Sequence, residues 1–439
     1  MSAAAQSLPS ERLREQRGWY VYDWANSAFA STVLTLFLGP YLTSVAKAAA
    51  GPDGLVHPFG IPVDPRAWWG YLISISVLMQ VVCLPLAGSF ADRSPNKKAI
   101  LGFWAWLGAA ATMALFFVQG QAYLTGGFLF LIANLAFGAS IVVYNSFLPE
   151  IATPEERDSV SSKGWGIGYL GGGILLALNL ALFTNAKDLG ITEALAVRLS
   201  LLSAGLWWAA FTIVPLVRLR NRPPLQHQRV SSTFAQLLHT LGQMRHYPET
   251  LKFLIAFLLY NDAVQAVIAL AAQFGNDELK IPMSTLTLVI LMVQFVAFAG
   301  AIAFDHISRA IGAKSAVVVS LVIWTGVILA MYFTVRTTAQ FFMMAAVVAL
   351  VMGGTQALSR ALFSQMIPKG REAEYFGVYE ISDKGTSWLA PLFFGLALQF
   401  TGNYRLAILS LLAFFLSGLF VLLSVNTTRA AQEAANPLH

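Results

Sequence analysis

Stretches of about 20 apolar residues recur along almost the whole chain, and that pattern decides which solvent it folds in. A hydrocarbon core of roughly 30 Å is crossed by about 20 residues of α-helix. Such stretches fall at 19–47, 68–90, 98–118, 123–149, 163–184 and 195–217, and again at 251–274, 284–304, 315–334, 339–366, 375–400 and 404–425. With 57% of its 439 residues hydrophobic and 11% charged, the chain lacks the polar surface to enclose itself in water. The expectation is an all-α, multi-pass integral membrane protein of twelve transmembrane helices in two pseudo-symmetric six-helix bundles.

An even number of spans places both termini on one side. With that side cytoplasmic, its segments hold 19 of the 28 Lys and Arg residues and the opposite segments hold 7, the asymmetry the positive-inside rule requires. The remaining two, Arg360 and Lys384, fall inside spans. The expected division is a cytoplasmic segment 1–18, a bundle 19–217, a cytoplasmic linker 218–250, a bundle 251–425 and a cytoplasmic tail 426–439. In the linker, Phe234, Leu237, Leu238, Leu241 and Met244 share one helical face, as in a helix lying along the membrane surface. Residues 1–18 are polar, with no apolar stretch before a small-residue cleavage site, so no cleavable leader is expected, the first span is expected to serve as the insertion signal, and a bacterial plasma membrane is the favoured location. The net charge of +6 is spread over short loops facing lipid headgroups and forms no nucleic-acid-binding face.

Neither a metal nor a cofactor is expected. Cys83 is the single cysteine, and all six histidines lie in loops or at the terminus. Gly166, Gly168 and Gly171 match a dinucleotide-binding pattern, but no strand precedes them. Gly164, Gly168 and Gly172, spaced every four residues, are better read as a surface for close helix packing. Trp19, Trp24, Trp68 and Trp69 lie near span ends, where an interfacial aromatic belt is expected.

The two halves repeat chemical landmarks. Gly88, Asp92 and Lys97 in GSFADRSPNKK correspond to Gly300, Asp305 and Lys314 in GAIAFDHISRAIGAK, and Pro154 corresponds to Pro368. The aspartates lie 213 residues apart and the prolines 214, near-equal offsets that suit a duplicated unit with a substrate path between its copies. Asp23 and Asp262 pair by local pattern, each followed three residues later by an amide, Asn26 or Gln265.

The segment GSFADRSPNKK resembles the loop between the second and third spans of the major facilitator superfamily, although Pro95 and Asn96 stand where that family usually has Gly and Arg. GWYVYDWANSAFASTV and YNDAVQAV are similar to the vacuole-effluxer branch, named for the autophagy-related vacuolar amino-acid exporter. The resemblance covers nearly the whole chain. It implies alternating-access transport, with amino acids as the named substrate class and the substrates of bacterial members open. In such a carrier Gly88, Asp92, Arg93, Lys97, Asp305 and Arg309 would form conformational latches. A carboxylate at a helix end can accept bonds from the N-terminus of a neighbouring helix.

Charged side chains inside a bilayer are costly and mark functional sites by default. The candidates for substrate or coupling-ion contact are Tyr22, Asp23, Asn26, Asp262, Gln265, Arg360, Glu380, Asp383 and Lys384. Glu380, Asp383 and Lys384 share a helical face and allow one internal ion pair, leaving a carboxylate for Arg360 or for a substrate amino group. The alternatives are carboxylates satisfied by Asn26, Tyr22 or Tyr260, and a static salt-bridge network between the tenth and eleventh spans. The sequence holds no Walker-type motif and no enzyme-like constellation. A monomeric secondary carrier of an amino acid or related zwitterion, driven by protons or sodium and surrounded by membrane lipids, is the expectation. Another small solute, or a sensor or scaffold with the same fold, is the alternative.

Overall fold

A bilayer offers backbone groups no hydrogen-bonding partner, so each span must satisfy its own N–H and C=O groups by coiling into a helix. The computed structural model describes residues 9–223, 242–384 and 389–435, and these residues are almost entirely helical. The first half runs α1 Pro9–Ala48, α2 Trp68–Arg93, α3 Lys97–Phe117, α4 Tyr123–Ile151, α5 Arg157–Thr184 and α6 Glu193–Arg218. The second half runs α7 Pro248–Asp277, α8 Met283–Ile311, α9 Ala313–Phe333 and α10 Thr338–Gln365. It continues with α11 Glu372–Lys384 and α12 Leu389–Thr401, then α13 Tyr404–Ser424 and a terminal α14 Thr427–Ala435. The eleventh span corresponds to α11 and α12; residues 385–388 between them lie outside the described residues, as does the expected linker helix from Phe234 to Met244 except for its end, where Met244–His246 form a 3-10 turn. Large apolar side chains such as Leu78, Phe90, Phe103, Val217, Phe333 and Phe420 face outward, as a lipid-covered surface requires.

Local chemistry sets several boundaries. Thr337 and Gln340 exchange side-chain-to-backbone bonds at the start of α10, a capping box. Thr192 accepts from the Leu195 N–H to open α6, and Asn403 does the same for Arg405 and Leu406 at α13. Gly312, at φ 84°, makes the sharp link between α8 and α9 that a side chain would strain.

The first helix differs most from expectation. It runs from Pro9, well before residue 19, so Trp19 lies about three turns in. Trp19 is fully buried and stacks on Tyr144 at 4.3 Å, instead of sitting in an interfacial belt. Phe29–Phe37 in the middle of α1 is π-helical, a rare form with backbone bonds spanning five residues, and within it the Thr35 hydroxyl also donates to the Ala30 carbonyl.

The start of α1, the residues just after α6, the start of α7 and the end of α13 lie at one end, here the terminal end. Arg220 bonds Glu11 through both guanidinium nitrogens at 2.8 Å, Arg222 reaches Glu15 at 2.8 Å, and Glu249 at the start of α7 accepts from the Asn426 N–H at 2.7 Å.

Candidate functional site

Five helices from both halves meet around Arg360 of α10, which is 3% exposed. Its Nη1 and Nη2 atoms each donate to Asp23 Oδ2 of α1 at 3.2 Å, and Asp23 is itself only 8% exposed. The Tyr144 hydroxyl of α4 donates to the same oxygen at 2.7 Å. From α5, the Ser161 hydroxyl and carbonyl accept from Nε and Nη2, each at 2.9 Å. The Asn145 amide then bridges, its oxygen accepting from Arg360 at 3.3 Å and its nitrogen donating to Glu380 of α11 at 3.0 Å. Aromatic faces enclose the guanidinium, with Trp19 at 4.7 Å, Trp165 at 5.3 Å and Tyr144 at 5.7 Å.

This packing depends on the glycine stripe of α5. A methyl carbon at Gly164 would stand 2.7 Å from Asp23 Oδ2 and 2.6 Å from the Trp19 ring, and Gly168 and Gly172 are similarly tight against Ser27 of α1. The four-residue spacing is therefore a close-packing surface between α5 and α1.

Other candidates fall elsewhere. Arg360 takes Asp23 across the halves as a partner, and Glu380 is linked to it through Asn145, whereas the other carboxylate of that trio, Asp383, has its side chain outside the described residues. Asp262 of α7 is 1% exposed; its Oδ2 accepts from the Ala390 N–H of α12 at 2.9 Å, and its Oδ1 has no hydrogen-bond partner among the described residues. Its partner is therefore a backbone donor, in contrast to Asp23. Tyr22 packs on Tyr144 at 4.9 Å, and its hydroxyl and the Asn26 Nδ2 are also without partners among the described residues. Gln265 is half-buried on α7. Asp383 and Lys384 belong to α11, and their side chains lie outside the described residues.

At the terminal end the latch aspartates bridge the halves. Asp92 at the end of α2 accepts from the Ala373 and Glu374 N–H groups at 3.0 and 2.9 Å, capping the N-terminus of α11. Lys97 stands 3.6 Å from Asp92 and 2.7 Å from Glu150. Gly88 clears this approach, because a methyl carbon there would sit 2.2 Å from the Ala373 carbonyl oxygen. Arg93 carries no cross-half contact among the described residues.

In the second half, Asp305 accepts from Arg309 of its own helix at 2.8 Å and from the Ser159 hydroxyl of α5 at 3.4 Å, while Arg309 also donates to Ser159 at 2.9 Å. Two expected correspondences fail. Gly300 packs on the Leu350 carbonyl of α10, inside its own half, because five residues separate it from Asp305 where four separate Gly88 from Asp92. One extra residue turns a helix position by about 100°. Ala301 takes the cross-half place instead, facing Gly166 of α5. Lys314 donates to the Leu423 and Val425 carbonyls at 2.9 and 2.7 Å and caps the end of α13.

Sequence reasoning missed Tyr144, Asn145, Ser161 and Trp165, whose polar groups interrupt apolar runs but bear no charge. It also missed Arg157, which is 8% exposed and donates to the Ser364 carbonyl at the end of α10 at 2.7 Å. At the end away from the termini, a cavity of about 540 Å³ opens between α1 and α2, lined in part by Thr35, Thr43, Ser44, Lys47, Arg66 and Trp69. It shares no residue with the Arg360 network.

A family model described as "Vacuole effluxer Atg22 like" matches residues 11–435. The uncharacterized MFS-type transporter YxiO of Bacillus subtilis is 31% identical over 432 residues, covering 97% of this chain and 98% of that protein. Autophagy-related protein 22 of Pyricularia oryzae is 26% identical over 499 residues, covering 89% of this chain and 73% of that protein. Among solved structures, the E. coli fucose:proton symporter FucP aligns with a TM-score of 0.71 at 12% identity, and a bacterial homologue of the iron transporter ferroportin in its outward-facing state aligns at 0.68 and 16%. Each alignment covers 94% of this chain and 98% of the other. At these identities the likeness is one of fold: twelve helices in two six-helix bundles.

Proposed function

The chain belongs to the vacuole effluxer Atg22-like family of the major facilitator superfamily, as a multi-pass membrane transporter and not an enzyme, and from that premise we propose a monomeric, proton-coupled carrier of a small zwitterion, with amino acids favoured. It works by alternating access between its two six-helix halves, 19–217 and 251–425, in a bacterial plasma membrane with both termini cytoplasmic. The excess of Lys and Arg in segments at the terminal end supports that orientation.

The observation that carries proton coupling is the contrast between the two intramembrane aspartates. Asp23 has a guanidinium beside it, whereas among the described residues buried Asp262 has a single backbone donor and one oxygen without a partner. A buried carboxylate without a cation is costly, on the order of several kcal/mol, and binding a proton removes that cost. Asp262 lies on α7, the first helix of the second half, where protonation and release can follow the opening of either end.

The test is L-leucine uptake into proteoliposomes under an imposed pH gradient. Asp262→Asn should abolish accumulation above equilibrium while leucine exchange at equal concentrations continues. Accumulation that persists in the variant removes Asp262 from coupling. Uptake driven only by a sodium gradient changes the coupling ion, and absence of flux of amino acids, sugars or peptides under either gradient replaces the carrier by a sensor or scaffold.

A further inference from the structure

The cage around Arg360 is built by one half of the molecule and filled by the other. Trp19 and Asp23 of α1, Tyr144 of α4, and Ser161 and Trp165 of α5 all belong to the first half, whereas the guanidinium arrives from α10 in the second. Parting of the halves at the terminal end, which alternating access requires, withdraws that cation. What remains is the Asp23 carboxylate, 8% exposed while the end is closed, with the Tyr144 hydroxyl at 2.7 Å and the Gly164 backbone behind it, and beside it the place between the Trp19 and Trp165 rings that the guanidinium has left. Leaving such a group without a cation is strongly unfavourable. Aromatic walls attract an organic cation through the ring quadrupole, and an organic ammonium or guanidinium, which carries N–H donors for the Asp23 carboxylate, gives up water at less cost than a small metal ion.

We propose that the transported solute's ammonium group takes the place of Arg360 at Asp23 when the terminal end opens, and that the released guanidinium binds the solute's carboxylate. Arg360 is then a built-in competitor for the substrate's own cation site. It holds the end closed until an ammonium is present to replace it, which suppresses opening of an empty carrier. This deepens the carrier reading above and rests on it.

Isopentylamine, L-leucine and 4-methylpentanoate share one side chain and differ in which charged groups they carry. Calorimetric titration of the full-length protein in lipid nanodiscs should show Arg360→Gln binding isopentylamine about tenfold more tightly than the unmodified chain, because its competitor is gone. The gain should vanish in the Arg360→Gln, Asp23→Asn double variant, and 4-methylpentanoate should show none. No gain for the amine, a gain that survives loss of the Asp23 carboxylate, or a gain seen with sodium ion in its place overturns the proposal.

A second reading retains Arg360. With Ser364→Cys, a buried position at the end of α10 whose hydroxyl donates within its own helix, in a Cys83→Ala background, isopentylamine and leucine should each speed maleimide labelling at the terminal end several-fold, and 4-methylpentanoate should not. Equal effects of all three, or none, overturn the proposal. Leucine uptake measured alongside separates the two ideas. Uptake with amine binding blind to Asp23 removes this site and keeps the carrier, whereas Asp23-dependent amine binding with no flux of any solute removes the carrier and keeps the cation site.

Discussion

Asp92 and Asp305 stand at matching ends of α2 and α8, yet they join the halves by different means. Asp92, its side chain 7% exposed, receives two backbone N–H groups from the first turn of α11, and Gly88 one turn earlier lets the two helices touch. Asp305 spends its strongest contact on Arg309 of its own helix and reaches across only to a serine hydroxyl. The first tie is a backbone clamp, fixed by helix geometry and a helix dipole. The second is a side-chain contact with a half-exposed arginine, which contributes little in water. Duplication preserved the aspartates, while one additional residue before Asp305 redirected the glycine and a longer spacing redirected the lysine.

The sharpest way to break this comparison is to add one methyl group to each glycine. Gly88→Ala places a carbon 2.2 Å from the Ala373 carbonyl oxygen and should destabilise the closed terminal end by about 2–3 kcal/mol. Gly300→Ala clashes equally, at 2.2 Å from the Leu350 oxygen, but within one half. It should lower the thermal unfolding temperature without raising maleimide labelling at Ser364→Cys, whereas Gly88→Ala should raise labelling. Equal labelling in the two variants would erase the distinction between cross-half and within-half packing.

Neutralising the aspartates comes next in size. Asp92→Asn weakens a charged acceptor for two backbone donors and should shift the closed-to-open balance by about 2 kcal/mol, read as faster labelling. Asp305→Asn should shift it by less than half as much, and the reverse order would make the second latch dominant. The smallest effect belongs to Arg309→Ala. With that side chain 57% exposed, the loss should stay under about 0.5 kcal/mol and disappear in high salt.

Much of the fold was legible because lipid imposes one dominant rule, satisfaction of the backbone within each span. Eleven of the expected spans appear as helices long and apolar enough to cross a bilayer, and the other corresponds to α11 and α12. The exception at α1 is instructive. Its first turns are polar, so hydropathy starts the span at residue 19, but Glu15 bonds Arg222 and Gln16 bonds the Ile151 carbonyl, extending the helix to Pro9 beyond the apolar run. Asp23, Arg360 and Glu380 were visible as candidates because charge inside a bilayer demands an explanation. Tyr144, Asn145 and Ser161 were not, since neutral polar groups in apolar runs are tolerated for many reasons.

The sequence by itself determined the solvent, the number of spans, the duplication and the identity of most charged groups in the interior. These follow from composition and spacing, which are one-dimensional properties read against a roughly 30 Å slab. Tertiary structure alone decided who pairs with whom. Arg360 meets Asp23, 337 positions away in the chain, because a glycine stripe on α5 lets α1 and α10 approach the same point. Gly300 lost the role of Gly88 because a single residue rotates a helix face. Partner choice depends on helix rotation and close packing between the halves, and neither is written in any one segment of the chain.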